Sequence, residues 1–360
     1  MPILHIGLLA LAFVALVFGA QYFTNAIEWL GHRLHLGDSA TGSFLAALGT
    51  ATPETLVSLV AIFFATGEAS RSVGIGGILG APFMLSTLAM LVVAIALWSF
   101  RKRRLTTNLQ FNAETAASDL QFFLVAYTLA FIAALTPPEF RLPRVLIACF
   151  LIPLYIFYMQ RLLRASMGQE SDVELGPLQL IAHFPEHVLP FENWAKNPGF
   201  GSIMFQVCLG LGLIIGGAEL FVEEIQTIAV AVGLAPLLLS LLLTPVATEL
   251  PETLNSVLWI ARRRDTLAFG NVSGALVFQS AFPVTIGILF TDWTLSLQPG
   301  SPTFLGALSA LLAIASGVFL LFFVRRYDTL HVNHLLSSGL LYIVFVGAVV
   351  FATINGTTAA

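Results

Sequence analysis

One phrase occurs twice in this chain, and each copy puts a charge where a membrane would be. Residues 45–58 read LAALGTATPETLVS and residues 243–256 read LTPVATELPETLNS. At a fixed offset, Leu45/Leu243, Thr50/Thr248, Pro53/Pro251, Glu54/Glu252, Thr55/Thr253, Leu56/Leu254 and Ser58/Ser256 are identical. Each copy sets a glutamate and a proline inside a long apolar run. A charge at bilayer depth costs roughly 3 kcal/mol or more, so such a glutamate marks a functional site by default. Two of them in repeated contexts point to an ion site between two halves of a transporter.

Composition agrees. Of 360 residues, 57% are hydrophobic and only 10% are charged, where a soluble protein carries about 25% charged residues. The expected class is an all-α polytopic membrane protein. The two cysteines, Cys149 and Cys208, sit in apolar segments and make neither a disulfide framework nor a metal site. The N-terminal stretch has no basic region before its apolar run, so it reads as the first span and not a removable signal.

A spanning helix needs about 20 mostly apolar residues. Ten segments qualify: 3–30, 40–66, 73–99, 119–137, 143–160, 201–231, 235–260, 267–291, 303–325 and 333–354. The long polar connection, 161–200, divides them five and five. The expected organisation is an N-terminal five-helix repeat over 1–160, a cytoplasmic connector over 161–200 and a C-terminal repeat over 201–360.

Lysine and arginine placement orients the spans. One set of alternate loops holds Arg33, Arg101, Lys102, Arg103, Arg104, Arg161, Arg164, Lys196, Arg262, Arg263, Arg264, Arg325 and Arg326; the other holds only Arg71, Arg141 and Arg144. The first set is therefore expected in the cytoplasm and both termini outside, in a cell or inner membrane. Five crossings per half is odd, so the halves are inverted, which places equivalent residues together near the midplane.

Thr50 and Glu54 are four apart, as are Thr248 and Glu252, so each pair shares a helix face. Hydroxyl and carboxylate oxygens suit hard cations such as Ca2+ and Na+. Pro53 and Pro251 cannot donate to the carbonyls of Gly49 and Ala247, which become further ligands if the helix unwinds. The bland alternative is a proline kink with neutral, hydrogen-bonded glutamates. A second repeat follows: GGILGAPFMLS at 76–86 and GNVSGALVFQS at 270–280. Its G-x-x-x-G spacing gives a smooth face for helix approach and suggests that segments 3 and 8 cross segments 2 and 7. Gln279 and Asn271 then become candidate polar wall residues.

The pattern G-T-x-x-P-E on helix 2 and G-x-x-x-G-(A/S) on helix 3, repeated inverted on helices 7 and 8, resembles the alpha-repeats of the calcium/cation antiporter superfamily, and most of all the sodium/calcium exchanger membrane domain. The resemblance spans the ten-helix layout, with motif-level likeness confined to the repeats. It implies cation coordination by Glu54, Glu252, Thr50 and Thr248, with backbone oxygens near Ala47 and Pro245, and access that alternates as segments 1 and 6 slide. Departures from the family pattern are Ala81 and Ala275 in place of serine, Leu85 and Gln279 in place of asparagine or aspartate, and Ala51 and Glu249 beside the motif threonine. Neutral ligands are lost and a carboxylate is gained. Three close carboxylates cannot all stay ionised without a cation, so Glu249 is a candidate proton carrier, and H+ stands beside Na+ as the counter-ion.

The function expected is thus secondary active antiport of Ca2+ or another cation for Na+ or H+. No catalytic centre or bound cofactor is expected; the partners are inorganic cations and the lipid bilayer, with no nucleic acid and no obligate protein partner. A cation channel is the first alternative. A membrane-embedded zinc hydrolase is the second, from the H-x-x-E-H run His183-Phe184-Pro185-Glu186-His187, although Pro185 opposes the helix this motif needs. Among lesser features, Glu223 and Glu224 sit near the outer end of segment 6, beside an ion path or lipid headgroups, with Asn25 and Glu28 as rough counterparts in segment 1. His331 and His334 are expected to be solvated. The run Arg101–Arg104 is explained by topology, with anionic lipid a further contact. The connector is too short for a regulatory calcium-binding domain.

Overall fold

A computed structural model of the chain describes residues 2–47, 49, 51, 55, 58, 62–63, 68–166, 175–182, 197–231, 249–301 and 303–354. Its helices are α1 (Pro2–Arg33), α2 (Glu68–Met84), α3 (Met90–Ser99), α4 (Ala113–Leu135), α5 (Arg141–Ser166), α6 (Phe200–Ala231), α7 (Leu250–Ala261), α8 (Asp265–Phe290), α9 (Phe304–Arg326) and α10 (Val332–Ile354). Eight helical stretches among the described residues are long and apolar enough to cross a membrane: Leu4–Arg33, Ile75–Ser99, Ala113–Leu135, Arg141–Ala165, Phe200–Gly217, Asp265–Phe290, Phe304–Arg326 and Val332–Phe351. They coincide with eight of the ten expected spans. The other two, 40–66 and 235–260, run through residues outside the described set.

α8 is the centre of the molecule. It is buried from Leu267 through Ala281 without interruption, and it packs on α4, α5, α7 and the π-helical turn Thr41–Ala46. The second-half glycine motif explains the closeness. A Cβ on Gly274 would stand 2.2 Å from the Ser43 carbonyl oxygen, and one on Gly270 would meet Ser43 Oγ at 3.0 Å. The first-half copy behaves differently: a Cβ on Gly76 meets nothing within 4 Å, while one on Gly77 would meet Ser58 Oγ at 3.1 Å. The expected crossing of segment 8 over segments 2 and 7 is present; Gly76 takes no part in a close approach.

α1 and α6, the two longest helices, pack chiefly on each other. Their glycines allow it: a Cβ on Gly210 would lie 2.8 Å from the Phe23 backbone nitrogen, and one on Gly19 would lie 3.0 Å from that of Ile214. The outward faces of α1, α5, α6 and α10 carry Leu4, Phe13, Leu146, Phe157, Phe205, Ile343 and Phe351, all exposed. A broad apolar girdle of this kind suits lipid, not water.

Loops that the basic residues assign to one side do touch one another. Leu109–Gln110 pairs antiparallel with Thr329–Leu330. Arg104, in a short helical turn after α3, holds Asp265 at the start of α8 through both terminal nitrogens, at 2.6 and 2.5 Å, and donates to the Ile260 carbonyl at 2.7 Å. Arg263 donates to the Arg103 carbonyl. At the opposite end, Leu295 N donates to Ala134 O at 2.8 Å and Arg144 to Trp293 O at 2.5 Å. The two loop sets thus gather at two ends of the bundle.

Candidate cation site

α7 opens inside the second copy of the repeated phrase. Pro251 stands in its first turn, where the N–H it lacks has no intrahelical partner in any case. The described helix begins at Leu250, just before the proline; the residues before Glu249, on which the expected break within span 235–260 falls, lie outside the described set. Glu249 is therefore the N-cap residue and Glu252 lies in the first turn, at the helix end whose unpaired N–H groups favour negative charge.

Both carboxylates are buried. Glu252 is fully enclosed and Glu249 is 3% exposed. α8 supplies the polar wall. Gln279 Nε2 donates to Glu249 Oε1 at 3.1 Å. Asn271 Nδ2 donates to the Glu252 carbonyl at 3.0 Å and to Ser256 Oγ at 3.3 Å, and Ser256 Oγ donates to the Ala268 carbonyl at 3.0 Å. Thr253 folds back onto its own helix and donates to the Glu249 carbonyl at 2.8 Å. The Glu249 carboxylate thus meets the Gln279 amide, with the enclosed Glu252 three residues on, and both glutamates have little access to water. Buried hard oxygen donors match the needs of a cation stripped of its hydration shell.

Ala47 is buried directly after the π-helical turn Thr41–Ala46, which packs on α8. Thr50, Glu54, Thr248 and Pro245 lie outside the described residues, as do His183, Glu186 and His187. Among the described residues, no group of three or more His, Cys, Asp or Glu side chains is placed to hold a metal ion.

A carboxylate that the sequence reading passed over joins four segments nearby. Asp119 of α4 is fully buried. Its Oδ2 accepts from Ser43 at 2.8 Å and from Ser273 at 2.6 Å, and its Oδ1 accepts from Tyr158 of α5 at 2.9 Å. Three hydroxyl donors satisfy the carboxylate. They also tie the turn before Ala47 to the stretch of α8 that leads to Gln279.

The sodium/calcium exchanger protein family matches this sequence over residues 4–163 and 202–354. The chain belongs to that family. It is a cation antiporter of the membrane and not an enzyme. A candidate antiporter of Alkalimonas amylolytica, CaxA, is 22% identical over 276 residues, covering 77% of each chain. An uncharacterized membrane protein of Methanocaldococcus jannaschii is 21% identical over 290 residues, covering 81% of this chain and 83% of that one. Among solved structures, the sodium-calcium exchanger NCX_Mj soaked with 10 mM Na+ and zero Ca2+ superposes with a TM-score of 0.72 at 18% identity, covering 96% of this chain and 99% of that one. The same protein soaked without Na+ or Ca2+ gives 0.70 at 18% identity, covering 97% and 100%. At this identity the likeness is one of fold.

Other polar residues of the exchanger fall into place. Glu224 is buried and its Oε2 lies 2.6 Å from His5 Nδ1, so it joins α6 to α1, while Glu219 and Glu223 are exposed. Glu28 accepts from Trp259 Nε1 at 2.8 Å and faces Arg262 at 3.5 Å and Arg264 at 3.7 Å. Arg264 also holds Asp38 at 2.8 Å. Asn25 accepts from Gln206 and from the backbone N–H of Gln179 in the connector, both within 3.0 Å. His331 is exposed as expected. His334 is not simply solvated: its ring stacks on Phe323 with centroids 3.9 Å apart, because α10 begins two residues earlier and turns that side chain toward α9.

Proposed function

We propose that this exchanger moves Ca2+, or a cation of like chemistry, against Na+ or H+ by alternating access. In this reading the chain has ten spans in two inverted halves, 1–160 and 201–360, joined by a cytoplasmic connector, with both termini outside a cell membrane. The ion binds between Glu54, Glu249 and Glu252. Thr50, Thr248, Gln279 and backbone oxygens near Ala47 and Pro245 complete the oxygen set. One observation carries the proposal: Glu249 and Glu252 are enclosed at the start of α7 beneath Gln279 and Asn271, an arrangement that is costly without a cation to balance it. The family match in two stretches, 4–163 and 202–354, supports the two-half organisation. NCX_Mj is a sodium-calcium exchanger, which supports Ca2+ as the first cation to test.

The test is cation uptake into proteoliposomes under imposed Na+ and pH gradients. Glu54→Gln and Glu252→Gln should each abolish exchange while leaving a folded protein. Near-normal uptake in either variant would remove that residue from the site. Flux that runs without any counter-ion would mean a passive pore.

A further inference from the structure

Asn255 is a buried amide that hydrogen bonding leaves unexplained. It sits on α7 three residues beyond Glu252, with no exposed surface. Neither its Nδ2 nor its Oδ1 has a hydrogen-bond partner among the described residues. Leaving both ends of an amide unmet in a dry interior is destabilising, and native structures rarely do so without a reason. Buried Arg104 and Arg144 also leave an Nε unmet, yet each bonds through its terminal nitrogens. Asn255 has no such second contact.

Its position suggests the reason. Three residues is close to one helical turn, so Asn255 lies next to Glu252 along one face of α7. Asn271 brackets the same turn, reaching the Glu252 carbonyl and Ser256. One turn further on that face, Trp259 meets Glu28 of α1. Asn255 thus stands between the carboxylate site and the contact that closes this face against α1. The repeat makes the amide more telling. The equivalent position in the first copy is Val57, so the polar group is present in one half only. This chain lacks neutral oxygen donors at Ala51, Ala81, Ala275 and Leu85, and the nearby amides of Gln279 and Asn271 already donate to α7.

We propose that Asn255 Oδ1 is a neutral ligand for a hard cation, Na+ or Ca2+, bound one helical turn from Glu252. An amide oxygen is a hard donor that both ions accept. It adds coordination without adding charge, so it complements the carboxylates that already supply the negative charge. The inference rests on the proposed carboxylate site. A lone bound water would also satisfy the amide, but removing it would leave the response to cations unchanged.

The test compares Asn255→Leu, Asn255→Asp and Glu252→Gln with the wild type, in buffers containing choline, Na+ or Ca2+. The readouts are the cation-induced rise in melting temperature and the half-saturating concentration for uptake. Asn255→Leu should melt at or above the wild type in choline, because an unmet amide is gone. Its half-saturating concentration for Na+, Ca2+ or both should rise roughly tenfold, the equivalent of one lost charge-assisted contact. Which ion is affected identifies the one that Asn255 holds. Asn255→Asp, which keeps the shape, should shift selectivity several-fold toward Ca2+. Wild-type cation responses in Asn255→Leu, or an unchanged Ca2+/Na+ ratio in Asn255→Asp, would overturn the inference. If Glu252→Gln loses its cation responses while both Asn255 variants keep theirs, only the role of Asn255 falls. If Glu252→Gln keeps them, the carboxylate site itself falls.

Discussion

Gly274→Ala is the sharpest test of how the exchanger's core is assembled. The added methyl would stand 2.2 Å from the Ser43 carbonyl oxygen, 2.6 Å from its Cα and 2.7 Å from its carbonyl carbon. Carbon atoms pack best at about 3.5–4.0 Å, so the helices must part by roughly 1 Å. Every clashing atom is backbone, so no side chain can rotate aside. Overpacking of this kind costs about 1–3 kcal/mol, and the upper end applies here. Replacing glycine in a helix returns about 1 kcal/mol, leaving a net loss near 2 kcal/mol. The separation also pulls Ser273 and Ser43 apart, although both now bond one oxygen of Asp119. Thermal unfolding in detergent, followed by intrinsic fluorescence, gives the measure. Gly270→Ala should lose less, because its methyl would first meet a serine hydroxyl at 3.0 Å. Gly212→Ala, whose methyl would meet nothing within 4 Å, should be neutral or stabilising. A Gly274→Ala protein that melts at or above the wild type would refute this account of the α8 contact.

Three further outcomes follow from the geometry. Arg104→Met should cost about 3–5 kcal/mol by stranding buried Asp265, and Arg104→Met/Asp265→Leu should recover part of that loss in the same melting assay; a double variant weaker than the single would contradict it. Cysteines replacing Lys102 or Arg263 should react only with a cytoplasmic thiol reagent, and those replacing Arg71 or Arg141 only with an external one; labelling of positions 71 and 263 from the same side would break the inverted topology. Glu249→Ala should flatten the pH profile of transport more than it weakens cation binding, if Glu249 carries the counter-ion proton as proposed; an unchanged profile, or a strict Na+ requirement in the wild type, would exclude a proton role for Glu249.

How much of this was legible in the sequence depends on which physics wrote the signal. Spans of apolar residues are set by bilayer thickness, and eight of the ten expected segments match helices of the exchanger. Gln279 and Asn271 were legible because the repeat placed their segment against the glutamate helix. Asp119 was not. It lies at the edge of the apolar segment, where a carboxylate reads as the start of a span, and the three hydroxyls that satisfy it come from positions 43, 158 and 273. Such long-range pairing leaves no local pattern. A proline marks a lost hydrogen bond equally well inside a helix and in its first turn, and Pro251 stands in the first turn of α7. Asn255 carried no sequence signal of its own; its burial and unmet amide belong to the fold.

The remaining question is how a site beside α8 would sense motion of α1 and α6. Two contacts join that pair to the site. Phe23 of α1 presses on Gly49, where a Cβ would lie 2.6 Å from the ring, and Gly49 directly precedes Thr50 of the first repeat. Glu28, five residues along the same helix, holds Trp259 near the end of α7. In the proposed cycle α1 cannot slide without disturbing both contacts, one on the first copy of the repeat and one three residues beyond the second. The Glu28 contact also anchors α1 to Arg262 and Arg264, so a slide would expose a buried carboxylate unless water or a cation replaced those partners. In that cycle, movement of the long helices would be tied to charge balance at one end and to the backbone beside the proposed ion ligands at the other. An antiporter needs such coupling if an empty site is not to cross freely.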